Sequence, residues 1–257
     1  MIAVVGLPAW AGSPDGEGSA AGLAVAVAAA AHARGAAVEL AGKIGDDGAG
    51  DAVVVALGRL GIGHAALLRD PAHATPVLAA AEEESDEASR AGADVATVDA
   101  GPAIGEESDR GAPSPDEIGP TLLPADPAQR PGLDAADLDL ALRYLPGPTT
   151  VVLADPMPDA AITAAMEAAA FAGARLIVLV PAGGAVPDAT AAQAGGATLV
   201  GGATQAADAI VLETPEQDDG SFGRLVGFFA AALDAGREPA AAFRQAVESA
   251  GWERIGR

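Results

Sequence analysis

Cysteine is missing from the 257 residues, and so is asparagine. Without cysteine the chain forms no disulfide, no thiolate metal site and no sulfur nucleophile. Without asparagine it carries no N-glycosylation sequon, and every motif that needs that side-chain amide is excluded. The three histidines, His32, His64 and His73, are too scattered for a spaced metal motif. Lys43 is the single lysine among 14 basic residues, against 36 acidic ones, which leaves a net charge of −22. A field of that sign repels a phosphate backbone, so nucleic acid is not expected as a partner. Long apolar runs are also lacking. The uncharged stretch from Gly18 to Ala33 is mostly alanine, too short to span a bilayer, and is preceded by Asp15 and Glu17 rather than by basic residues. A soluble, cytoplasmic protein without a membrane partner is expected.

What the chain does have is half its residues apolar and a mean hydropathy of +0.28, enough for a sizeable core. The acid-rich, lysine-poor, alanine-rich composition resembles that of proteins from salt-saturated cytoplasm, where a Debye length of ~3 Å or less removes repulsion between carboxylates. A halophilic source is expected on that ground.

Residues 2 to 6 form an apolar run closed by Gly6 and Pro8, which reads as a buried parallel strand. Ser19 to Gly35 reads as a helix and Ala37 to Ala41 as a strand. Asp47 to Leu60 reads as a helix capped by Asp46 and stopped by Gly61. Weaker strands are expected at 64–68, 75–80 and 94–98. Between 82 and 130 the composition turns to acidic residues, Gly, Ser and Pro, as in a lid remnant or a mobile insert. Alternation then resumes with a helix over 135–144, a strand over 150–154, a helix over 158–173 and a strand over 175–180. The strand 209–212 and helices over 221–235 and 239–250 complete it. Strand–helix alternation predicts a doubly wound, mostly parallel α/β sheet flanked by helices, in a single domain spanning 1–257.

Residues 21 to 62 carry a more specific pattern. An Ala-rich helix follows Gly22 and ends at Gly35. Gly42-x-x-Gly45-x-Asp47-x-x-Gly50 comes next, and then Leu57-x-x-x-Gly61-Ile62. This resembles the amino-terminal signature of PfkB (ribokinase-like) carbohydrate kinases, and the segments 158–180 and 223–233 are similar to later elements of that family. The resemblance implies a ribokinase-like fold, with Mg²⁺-ATP as phosphoryl donor and a sugar or nucleoside as acceptor. It also leaves room for a homodimer. Phosphoryl transfer of this kind needs positioning and electrostatics: a carboxylate to take the hydroxyl proton and backbone amides at a helix N-terminus to hold the transferring group.

Carried over residue by residue, the resemblance makes Asp219 the catalytic base and Gly220 and Ser221 the anion-hole donors. Asp15, Gly22 and Gly42 fall around the sugar, and Glu216 falls on the metal. The chain also departs from the pattern. Alignment through the last long helix moves the base to Gly220 or Phe222, and Glu216, Gln217 and Asp218 stand where glycines are expected. Ala26 replaces the sugar-orienting asparagine, the chain is shorter than typical members, and the lid is expected to be reduced or absent. These departures favour an alternative: a catalytically inactive homologue that binds a small ligand or a partner.

Bland roles compete at several positions. The glycines and aspartates of 42–50 also suit a strand-to-helix turn, and Asp219 also suits a solvated helix cap. Lys43 could meet a phosphate or sit at the surface. Trp10 could stack on a sugar ring or pack over a strand. Arg224 and Arg244 could face an anionic ligand or pair with acidic neighbours.

Overall fold

A computed structural model describes residues 1–13, 17–78, 130–182, 198–200, 203–205, 209–215 and 220–251. In chain order the strands are β1 (Ile2–Gly6), β2 (Ala9–Gly12), β3 (Gly18–Ala21), β4 (Val38–Gly45), β5 (Leu67–Asp70), β6 (Val77–Leu78), β7 (Thr150–Leu153), β8 (Arg175–Val180), β9 (Thr198–Val200), β10 (Ala203–Gln205) and β11 (Ala209–Glu213). The helices are α1 (Leu23–Ala33), α2 (Gly48–Arg59), α3 (Ala135–Arg143), α4 (Asp159–Ala172), α5 (Ser221–Asp234) and α6 (Pro239–Ala250).

The main sheet runs β5-β4-β1-β7-β8-β11-β10-β9, with its first six strands parallel and the β11-β10-β9 edge antiparallel. Side chains alternate across a strand, and β1 shows the consequence. Ile2 and Val4 enter the core shared with α1, α2, α5 and α6, whereas Ala3 and Val5 enter the core shared with α3 and α4. Both faces are therefore covered, which is why these strands read as continuous apolar runs rather than alternating ones. The doubly wound α/β expectation is met.

A second sheet, β3-β2-β6, is small. It corrects the reading of 19–22 as helix: Ser19, Ala20 and Ala21 pair with β2, and the helix begins only after Gly22, whose φ of 97° breaks the chain direction. The small sheet is built from β2 and β3, which lie between Gly6 and Gly22, together with β6. A second correction concerns 42–50. Gly42 to Gly45 lie inside β4, and the cap of α2 is Asp47 rather than Asp46. The expected strand at 94–98 and nearly all of the acidic segment 82–130 lie outside the described residues. The short β9 and β10 were not expected, since their Gly/Ala-rich neighbourhood carries no strand period.

Candidate functional site

The strand order fixes where a site can form. From β1 the sheet is extended one way by β4 and β5, and from β7 the other way by β8 and β11. The β1/β7 boundary is the topological switch point, and open α/β sheets hold ligands just beyond the carboxyl ends of the strands there. Two residues past β7, at that position, stands Asp155. It is 7% exposed, and its Oδ2 accepts a hydrogen bond of 2.7 Å from the backbone N–H of Leu7, which follows β1. Burial pushes its carboxyl up to about 6, while the Leu7 N–H and the charge of Arg130 pull the other way. A buried carboxylate without a salt-bridge partner among the described residues is costly, and such groups concentrate where ligands bind.

Gly6 makes this arrangement possible. A Cβ there would strike Asp155 Oδ2 and lie 2.7 Å from Ala24 Cβ. The same contact shows that the first turn of α1 stands beside Asp155. That turn contains no acidic residue and no side-chain cap, so the positive end of the helix faces the carboxyl edge of the sheet.

The other expected helix start arrives at the same place. Along the α1–α5 interface a Cβ on Gly223 would lie 2.7 Å from Ala26 Cβ, and one on Gly227 would lie 2.5 Å from the Val27 carbonyl. Side chains there would hold the helices apart; glycine lets their backbones touch. The Gly22 bend and the Gly220–Ser221 turn, where Gly220 has a φ of 86°, therefore sit at the same end of one tightly packed helix pair. Gly42 lies in β4 directly opposite Gly6, with Pro8 above it. The structure so brings together Gly22, Gly42, Gly220 and Ser221. Asp15, Glu216 and Asp219 lie outside the described residues.

The competing roles resolve in part. Trp10 is 6% exposed, lies over Gly18 of β3 and donates its Nε1–H to the Ser13 carbonyl, 2.8 Å, so it packs over the strand. Lys43 is not free at the surface. Its Nζ meets Asp137 Oδ2 at 2.5 Å, both side chains half-buried, and this ties β4 to α3. Among the described residues no group of three His, Asp or Glu side chains is placed to hold a metal ion, and no helix is long and apolar enough to cross a membrane.

The sequence reading did not single out Asp155, because an Asp-Pro pair after a strand reads as an ordinary turn. The usable signal was positional: a carboxylate following the first buried strand after the acidic segment.

The sequence matches no family model and no curated protein. Solved structures are another matter. Arabidopsis thaliana ribokinase, complexed with ribose and ATP, superposes with a TM-score of 0.53 at 15% identity over 97% of this chain and 90% of its own, and a PfkB protein from Polaromonas sp. gives the same score and identity over 95% of this chain and 92% of its own. Vibrio cholerae fructokinase, bound to fructose, ADP and calcium, gives 0.54 at 13% identity over 97% of this chain and 89% of its own. This chain has the ribokinase fold. The expectation of that fold, drawn from residues 21 to 62, holds.

Proposed function

We propose that this ribokinase-fold protein is a PfkB-type carbohydrate kinase, transferring the γ-phosphoryl group of ATP to a hydroxyl of a sugar or nucleoside. The observation that carries the reading is the convergence of the α1 and α5 N-termini with buried Asp155 at the β1/β7 switch point. An ionised carboxylate there accepts hydrogen bonds from polyol hydroxyls, which suits a neutral sugar better than an anion. The α5 N-terminus, entered through left-handed Gly220, suits a phosphate held by backbone amides.

In this reading Asp219 takes the proton of the attacking hydroxyl, and the amides of Gly220 and Ser221 stabilise the charge that develops on the transferring group. Asp15, Gly22 and Gly42 line the acceptor side together with Asp155. Bound ATP supplies the phosphoryl group. The described residues hold no cluster fit for its metal, and Glu216 is the residue assigned to it by resemblance alone. The small sheet β3-β2-β6 leaves and re-enters the chain at this edge, where a cover excluding water is needed. The strongly acidic surface fits activity in multimolar salt, in a cytoplasm of that composition, and the oligomer would be a homodimer.

A specific observation favours a second reading. Glu216, Gln217 and Asp218 replace glycines next to the α5 turn, and each close like-charge pair costs ~4 kcal/mol at intermediate dielectric. The protein would then be an inactive homologue that binds a small polyol or a partner. A coupled ADP-release screen over pentoses, hexoses and nucleosides, in multimolar KCl with Mg²⁺, separates the two. Kinase activity predicts turnover that Asp219→Asn reduces at least a hundredfold. Sugar-induced thermal stabilisation without turnover supports the inactive homologue.

A further inference from the structure

Asp47 does more than a helix cap requires. Capping α2 uses one bond, from the Gly50 N–H to Oδ1 at 2.8 Å. The same carboxylate also accepts from Thr75 Oγ1 on Oδ1, 2.7 Å, and from the Thr75 N–H on Oδ2, 2.8 Å. Thr75 Oγ1 in turn accepts the Gly45 N–H at 2.9 Å, so hydroxyl, amide and carboxylate close a loop of hydrogen bonds that is 3% exposed at Thr75. Room for it comes from two glycines of the 42–50 pattern. A Cβ on Gly45 would lie 2.7 Å from Asp47 Oδ2, and one on Gly50 would lie 2.9 Å from Thr75 Oγ1.

What hangs from Thr75 is the small sheet. The next residue, Pro76, accepts the Trp10 N–H at 2.8 Å, and Val77 and Leu78 pair with Trp10 and Ala11. On the other side of Thr75 the segment is folded back on itself by Asp70, which accepts from the Ala72 N–H and meets His73. Arg69 pairs with Asp46 and Asp51 next to the cap. β2, which carries Trp10, starts three residues after Gly6, and between them lies Leu7, the residue that binds Asp155. A shift of β6 is therefore passed to β2 and towards the switch point.

We infer that Asp47 is a positioning residue that latches the β3-β2-β6 cover to the amino end of α2 through Thr75, and that releasing this latch frees the cover while the main sheet stays folded. Burial raises the Asp47 carboxyl, but the bonds from Thr75 and Gly50 and the charge of Arg69 outweigh it and hold the group below its ordinary range. The latch is thus closed at neutral pH. It needs no phosphoryl transfer, so it stands or falls separately from the proposed activity.

Trp10 reports on the cover, and Trp252→Phe makes it the sole indole of the chain. In that background, Thr75→Val and Asp47→Asn are expected to red-shift Trp10 emission and increase acrylamide quenching several-fold. Amide exchange across 71–78 should quicken at least tenfold, with 150–153 and 175–180 unchanged. Thr75→Ser, which keeps the hydroxyl, should behave like its parent. If Asp47→Asn fails to fold, Thr75→Val decides alone, because it leaves the cap bond to Gly50 in place. Unaltered Trp10 emission and 71–78 exchange in Thr75→Val would overturn the inference. So would exchange that rises equally throughout the sheet, or a Thr75→Ser variant that behaves like the valine.

Discussion

The two ends of the parallel sheet are built on opposite principles. At the amino edge, charges are matched. The Met1 ammonium meets Asp234 Oδ1 at 2.8 Å and Thr149 Oγ1 at 3.3 Å. Arg175 donates to the Leu233 and Arg237 carbonyls at the end of α5, where a cation offsets the negative end of the helix. A flaw there is the buried Thr150 hydroxyl, which has no hydrogen-bond partner among the described residues. At the carboxyl edge the chain tolerates what the other edge avoids: a buried carboxylate held by a single backbone N–H and two helices entered through glycines with positive φ. Proteins break local rules of stability mainly where they bind or react. The difference between the edges is therefore the structural argument for placing the site.

The largest effect on this contrast should come from closing the gap that lets the helix starts converge. Gly227→Ala puts a methyl against the Val27 carbonyl, Ala30 and Ala31, two of them backbone obstacles. We expect a loss of about 3 kcal/mol in denaturant unfolding, and a loss below about 0.5 kcal/mol would show the interface to be looser than described.

Next comes Asp155→Asn. Burial pushes the folded Asp155 carboxyl up to about 6, above its ordinary 3.8, so the folded state holds a proton that the unfolded state releases. Stability should fall as pH rises through that window, and the full penalty should persist above it. Asp155→Asn should remove the slope and stabilise the protein by roughly 2–3 kcal/mol at pH 8. A destabilised variant at pH 8 would place Asp155 among the matched charges of the other edge. The smallest effect is expected from Asp234→Ala, which removes a half-buried pair with Met1 and should cost about 1 kcal/mol without altering ligand binding.

Most of the sheet was legible because buried parallel strands and alanine-rich helices announce themselves by apolar runs and stop signals. The strand Arg175–Val180 and the helix Pro239–Ala250 match the sequence reading residue for residue. The misreadings share a cause. Gly18–Ala21 has the composition of the helix that follows, and only its pairing with β2 makes it a strand. Gly42 and Gly45 look like turn glycines, yet they are small because Gly6, Pro8 and the Thr75 strap approach them. Tertiary contacts override local propensity at such positions. Among the candidate residues, the helix-start glycines were singled out through the motif they belong to. Asp155 was not, since its place beside the switch point comes from the strand order, and strand order is not written in any local pattern.

The central claim is that the carboxyl edge beside Asp155 is a ligand site. The direct measurement is the thermal unfolding of the wild type and Asp155→Asn in multimolar KCl, with and without Mg²⁺-ATP and a panel of pentoses, hexoses and nucleosides. The account predicts that at least one sugar or nucleoside raises the unfolding temperature of the wild type and leaves the variant unmoved. An equal rise in both proteins, or none in the wild type, would contradict it.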